Sequence, residues 1–117
     1  MDTKKIIELG GTISFDDISH INQLADTSMI VDELKEDLFQ AVFPHNQLID
    51  IGWHPEFSEK GTFRISLIKE YDWEHPVFSE KAKSWTELNK AISNALNKLK
   101  NDNPIKASTG IYDSQYS

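Results

Sequence analysis

The chain of 117 residues contains no cysteine, and this absence removes several kinds of chemistry. Thiolate nucleophiles, disulfides, and zinc or iron–sulfur sites with cysteine ligands are all excluded. No apolar run approaches the roughly 20 residues that span a bilayer, and the opening segment MDTKKIIELGG lacks the apolar stretch of a signal peptide. We therefore expect a cytoplasmic protein that is not inserted in a membrane.

Basic residues are scarce in the first half of the chain. Residues 1–59 hold 12 acidic and 3 basic side chains, residues 60–117 hold 7 and 9, and the net charge is −7. An acidic surface of this kind repels nucleic acid and anionic membranes. The natural complement is a basic protein partner, although acidity also serves solubility alone.

Familiar catalytic and ligand-binding motifs are missing as well. There is no glycine-rich phosphate loop and no G-x-S-x-G turn around a serine. Asp50, His54, Glu56 and His75 are possible metal ligands, but Asp50 and His54 stand about 13 Å apart along an extended strand. The sequence therefore predicts a protein with no catalytic residues, no metal and no cofactor.

Two stretches of alternating apolar residues predict a β-hairpin. Residues 48–54 and 62–68 pair around the loop PEFSEKG when the register is centred on Ser58. Every side chain on one face is then apolar, and a slip of one residue would mix the faces. The pairs on the apolar face are Ile49 with Leu67, Ile51 with Ile65, and Trp53 with Phe63. The other face, which carries Asp50 and His54, is expected to be polar and hydrated.

Helical periodicity is clearest from Trp85 to about Lys100, where Ser84 and Glu87 form a capping-box pattern. The same kind of spacing predicts two earlier helices, one over Asp32–Phe43 and a shorter one from Asp16 or Asp17 to Ala25. The segment KKIIEL, residues 4–9, fits either a strand or a helical turn.

A third strand is expected after Pro76, in the segment VFSEKAKS, where lysines of the kind that protect a sheet edge occur. The predicted fold is α+β, a two-layer sandwich of a three-stranded antiparallel sheet with amphipathic helices before and after it. Residues 1–103 would form one domain, and residues 104–117 a flexible polar tail.

The tryptophans call for different interpretations. Trp53 alternates with Ile49 and Ile51, which favours packing in the core. Trp73 lies in YDWEHP, flanked by acids and followed by a proline. An aromatic side chain ringed by charge is typical of protein interfaces, but a loop tryptophan also packs over the edge of a core.

Several short patterns recur together over residues 36–99. They are a predicted amphipathic helix that ends at Pro44, D-x-G-W-x-P-E from Asp50, G-x-F-x-I from Gly61, and D-W-x-x-P from Asp72 before the capped helix. In this combination the chain resembles small bacterial immunity proteins of contact-dependent growth inhibition systems, which belong to the polymorphic toxin systems. His54 departs from the pattern, which has a tyrosine there.

The resemblance implies a cytoplasmic, non-catalytic protein that binds and neutralises a cognate toxin domain. Such toxins are often nucleases with basic clefts, which an acidic inhibitor would fill. The predicted interface combines the polar sheet face with adjoining loops and consists of Asp50, His54, Glu56, Glu59, Asp72, Trp73 and Glu74. A second candidate patch consists of Asp32, Glu33, Glu36 and Asp37.

Two alternatives from other classes stay open. The first is a small metal-binding or enzymatic protein that uses His54, His75 and nearby acids. The second is an adaptor module that binds a peptide along the sheet edge near residues 77–83.

Overall fold

The structure, a computed structural model, describes residue 1 and residues 3–99. Within this part of the chain there are two α-helices, five β-strands and two short 3₁₀ turns. The order is α1 (Thr3–Glu8), β1 (Thr12–Asp16), 3₁₀ turns at Thr27–Met29 and Val31–Glu33, β2 (Phe39–Phe43), β3 (Gln47–His54), β4 (Thr62–Lys69), β5 (Phe78–Ala82) and α2 (Trp85–Asn97). No described helix has the length and apolar character needed to cross a membrane. The predicted tail, residues 104–117, lies outside the described residues.

The sheet is larger than the sequence predicts. Five strands lie in the order β1-β2-β3-β4-β5, each antiparallel to its neighbours, so the expected three-stranded sheet is wrong. Of the two additional strands, β2 lies where the sequence predicts a helix, and β1 lies mostly in residues to which it assigns no element. The terminal helix α2 packs on β4 and β5, so the fold remains α+β with a helix over the sheet.

The central hairpin has the predicted register. Trp53 pairs with Phe63, and the pairing continues without a shift to Gln47 and Lys69 at the other end. All six apolar side chains of the predicted inner face are buried, namely Ile49, Ile51, Trp53, Phe63, Ile65 and Leu67. The predicted third strand is also present as β5, which pairs with β4.

The Trp53 ring is fully buried in the core. Its indole packs edge-on against Phe63, with ring centroids 4.9 Å apart, and its Nε1 donates a hydrogen bond to the Ser58 carbonyl at 2.8 Å. Trp85 also packs against Phe63, with the ring centroids again 4.9 Å apart and the planes tilted by 50°. The core role predicted for Trp53 is confirmed, since the side chain is fully buried.

The helix predicted over Asp32–Phe43 is wrong. The acids at its start form the 3₁₀ turn Val31–Glu33, and the residues at its end form β2. Leu34, Leu38 and Ala41, which the predicted helix would bury, are buried, but their spacing also allows a turn followed by a strand to bury them. The alternation of buried and less buried residues in β2, FQAVF, is the period-two pattern that a helix would not produce.

The shorter helix predicted from Asp16 or Asp17 to Ala25 is also wrong. Asp16 ends β1, and its carboxylate accepts hydrogen bonds from the backbone N–H groups of Ile18 and Ser19. The aspartate therefore caps a turn and not a helix, in keeping with the preference of this side chain for local backbone hydrogen bonds. Leu24, which a helix would have buried, is 97% exposed.

The two remaining segments with a possible or predicted helix, one near each end of the described chain, are both helical. The ambiguous segment KKIIEL forms part of α1 and buries Ile6. For α2, the Ser84 hydroxyl accepts the N–H of Glu87 at 3.2 Å, and the Glu87 carboxylate accepts the N–H of Lys83 at 2.8 Å. This reciprocal arrangement confirms the cap predicted from the sequence.

A close backbone contact is made on the outer face of β3. The chain before β2 continues beside β3, since Leu38 N–H donates to the Ile51 carbonyl and Trp53 N–H donates to the Lys35 carbonyl, both at 2.9 Å. Between these bonds the Glu36 carbonyl lies over Gly52, where a Cβ atom would be 1.8 Å from the oxygen. Only glycine fits this position. The outer face is therefore not uniformly hydrated as predicted, because Gly52 and Ser66 are buried.

Gly52→Ala tests this contact. We expect the free energy of unfolding to fall by about 1 to 3 kcal/mol or more, the range of overpacked sites, because the obstructing atom is backbone and cannot rotate away. Chemical denaturation measures the change. Lys81→Ala, at an exposed position on the outer face of β5, is the control and should stay within about 0.5 kcal/mol. A Gly52→Ala protein as stable as the control would contradict the contact.

Candidate functional site

An open depression on the outer face of the sheet brings together aromatic, acidic and amide side chains. Its volume is about 500 Å³, and its lining residues are Phe15, Glu36, Asp37, Gln40, Asp50, His54 and Trp73. They come from β1, β2, β3, the segment before β2, and the loop between β4 and β5. The depression is therefore a product of the tertiary fold and not of a local motif.

The strand register places three of these side chains in one row. Phe15 pairs with Gln40, and Gln40 pairs with Asp50 on the next strand. A register shift between Ile13 and Phe15 marks a β-bulge at Ser14, whose hydroxyl donates to the Gln40 side chain at 3.1 Å. Without the extra residue Phe15 would face the core, so the bulge directs this ring onto the outer face.

The loop between β4 and β5 supplies Trp73. Asp72 N–H donates to the Lys69 carbonyl at 3.0 Å, which closes a tight turn with positive φ at Glu70 and Tyr71. Two consecutive positive φ values are typical of a type I′ turn. The turn sends the chain back across the outer face, where Trp73 lines the depression and remains 49% exposed.

The segment before β2 supplies Glu36 and Asp37. Glu56, in the loop after β3, accepts the Glu36 N–H at 3.1 Å and so holds this segment in place. The Glu36 carboxylate lies 3.7 Å from Nδ1 of His54. The segment before β2 and strand β3 thus contribute to one acidic rim. The contact of the Glu36 carbonyl with Gly52 holds this segment beside Asp50.

Asp50 is the carboxylate with the most unusual environment. Burial raises the pKa of Asp50 above its ordinary value, and the nearby Asp37 charge raises it further. A side-chain hydrogen bond with Gln40 and the charge of His54 oppose this increase without cancelling it. The ionised form of Asp50 is therefore held in an unfavourable position, next to a second negative charge.

The structure separates the predicted interface residues into different places. Asp50, His54 and Trp73 meet in the depression, together with Glu36 and Asp37 from the second predicted patch. Asp72 and Glu74 flank Trp73 and are exposed. The other members lie elsewhere or act on the backbone: Glu56 binds the Glu36 N–H, Glu59 lines a hollow beside Lys83, and Asp32 and Glu33 line a small hollow with His20 and Lys35.

Sequence reasoning missed Phe15 and Gln40. Their positions depend on the pairing of β1 with β2, which joins residues about 25 positions apart. The alternation FQAVF was available as a signal for β2, and it would have placed Gln40 on the face opposite Phe39 and Ala41. The bulge that turns Phe15 outward has no comparable signal in the sequence.

Two other possible sites are less informative. No group of three or more His, Asp or Glu side chains in the described part of the chain is arranged to hold a metal ion, and His75 instead lies 3.1 Å from its neighbour Asp72. A cavity of about 590 Å³ lies between α1 and α2, but Lys5 is the only charged side chain in its described lining. The depression is therefore the candidate functional site.

Asp50→Asn tests the electrostatics of the depression. Because the folded pKa is raised, the folded chain binds more protons than the unfolded chain between the two pKa values, so ionised Asp50 lowers stability at neutral pH. We expect the variant to melt at a higher temperature than the wild type at pH 7. The difference in melting temperature should shrink as the pH falls through the raised pKa of Asp50. It should vanish below about pH 3.9, where aspartate is protonated in both the folded and the unfolded chain.

Asp32→Asn is the matched control, an exposed carboxylate outside the depression. Melting curves of the three proteins between about pH 3 and 8 measure the effect, within the range where aspartate and its neighbours titrate. An Asp50→Asn protein that is less stable than the wild type at pH 7 would contradict the unfavourable placement of this charge.

Comparison of the chain with models of protein families, with curated proteins and with solved structures finds no match.

Proposed function

We propose that this chain is a cytoplasmic immunity protein that binds and neutralises a cognate toxin domain through the depression on its outer sheet face. The observation that carries the proposal is the meeting of two exposed aromatic rings, Phe15 and Trp73, with the carboxylates of Glu36, Asp37 and Asp50. The resemblance of residues 36–99 to immunity proteins supports the same reading.

The aromatic side chains support a protein partner. Phe15 is 42% and Trp73 is 49% exposed, although each ring would be more stable out of water. Tyr71 and Val77, in the loop that carries Trp73, are also exposed. Aromatic residues that remain exposed in a folded monomer and are surrounded by charge are typical of the central anchors of protein interfaces.

The charge supports a basic partner. The depression holds three carboxylates, and Asp72 and Glu74 add two more in the loop beside Trp73. A nuclease with a basic cleft is complementary to this surface, because long-range attraction speeds association and close charge pairs add specificity. Neutralisation then requires only occupation of the cleft, and we propose no catalytic step for this chain.

The experiment needs the toxic C-terminal domain of a large secreted protein encoded by the adjacent upstream reading frame. We expect the wild-type chain to restore growth when both are expressed together, and to bind the purified domain. Glu36→Lys combined with Asp37→Lys should slow association about 10-fold or more at low salt, because it reverses the charge at the depression. Stopped-flow association at several salt concentrations measures the effect.

Asp32→Lys combined with Glu33→Lys is the matched control. It changes the net charge equally, at exposed positions only four residues away in the sequence but outside the depression. We expect its association rate to stay within about 3-fold of the wild type, since only the long-range field changes. An equal decrease of the association rate in both double variants would exclude the depression as the interface. A wild-type chain that neither binds the toxin domain nor restores growth would exclude the immunity function.

A further inference from the structure

We infer that the depression is a subsite for one arginine side chain of the protein partner, with its guanidinium group between Asp50 and Asp37 and its plane against Phe15 or Trp73. The inference rests on the proposed function only in taking the partner to be a protein. It specifies which chemical group of that partner enters the depression.

Asp50 forms no ion pair of its own among the described residues, where no Lys, Arg or His nitrogen lies within 4.0 Å of its carboxylate. His54, whose charge partly opposes the raised pKa of Asp50, lies 3.7 Å from the Glu36 carboxylate instead. Burial and the neighbouring Asp37 both disfavour the ionised form of Asp50. An incoming cation would relieve the repulsion between the two acids and supply the missing counter-charge.

The aromatic lining favours arginine over lysine. A guanidinium group is planar and weakly hydrated, so it stacks on aromatic rings while its N–H groups bind carboxylates in pairs. Phe15 and Trp73 provide the rings, and Asp37 and Asp50 provide the carboxylates. An ammonium group is strongly hydrated and would lose more on leaving water.

The depression is large enough for an arginine side chain. The volume of about 500 Å³ lies in the range of pockets that hold small ligands, and the depression has room for one arginine side chain with bridging waters. Glu36, whose carbonyl lies over Gly52, lines the depression together with Asp50.

The test uses acetyl-Gly-Arg-Gly-amide as a probe, because the peptide presents one arginine without a toxin around it. We expect saturable binding with a Kd of about 1 to 10 mM, as for a small ligand with few contacts. Heteronuclear NMR should show shifts of the Trp73 indole N–H and of the Asp50 carboxyl carbon. The pKa of Asp50 should move down when the peptide binds, because the bound cation favours the carboxylate.

Two matched peptides separate charge from shape. The citrulline peptide has nearly the same shape without the charge and should bind at least about 10-fold more weakly, while the lysine peptide should fall between the two. On the protein side, Asp50→Asn and Trp73→Leu should each weaken arginine binding about 5-fold or more. Asp32→Asn, outside the depression, should change it less than about 2-fold.

Three results would overturn the inference: equal binding of the arginine and citrulline peptides, shifts centred on Asp32 and Glu33, or no shift at roughly 20 mM peptide, well above the expected Kd. Its failure is distinguishable from that of the immunity function. If the wild-type chain neutralises the toxin domain but the peptide does not bind, only the arginine subsite is wrong. If the peptide binds as expected but no toxin domain is neutralised, the subsite stands and belongs to a different arginine-bearing partner.

Discussion

The alternation of side chains along β3 is the constraint on which the rest of the molecule depends. Ile49, Ile51 and Trp53 must point inward, because they meet the apolar side chains of β4 and the core beneath α2. Asp50 and Gly52 then have to point outward, since neighbouring residues of a strand face opposite sides. One face of this strand therefore makes the core, and the other face makes both the floor of the depression and the gap that admits the Glu36 carbonyl.

This constraint also explains which parts of the structure could be predicted. The hairpin of β3 and β4 and the cap of α2 each depend on residues close in sequence, whose patterns have one consistent solution. The segment from Asp32 to Phe43 is compatible with two local structures. The acids at its start and the apolar residues Leu34, Leu38 and Ala41 suit a helix as well as a turn followed by a strand. The choice is made by β3, whose edge would otherwise be left without hydrogen-bond partners.

The candidate site shows the same division. Asp50, His54 and Trp73 could be selected from sequence because they stand out within one stretch of about 25 residues. Their companions could not, because Phe15 joins them through the β1–β2 pairing and a one-residue bulge, and Glu36 and Asp37 join through a carbonyl that only Gly52 permits. Contacts between segments far apart in the sequence determine which side chains line the depression. A local sequence pattern carries no information about those contacts.

The turn before Trp73 bears on the proposed function of this face. Glu70 and Tyr71 both have positive φ, although neither is glycine, asparagine or aspartate, and such residues cost on the order of 1 kcal/mol or more each. Leu48 and Ile68 on the outer face are buried, but the Trp73 ring in the loop after this turn is half exposed beside carboxylates. Stability alone would favour a glycine in the turn and a buried ring, and the proposed interface accounts for the exposed ring because a partner would cover Trp73.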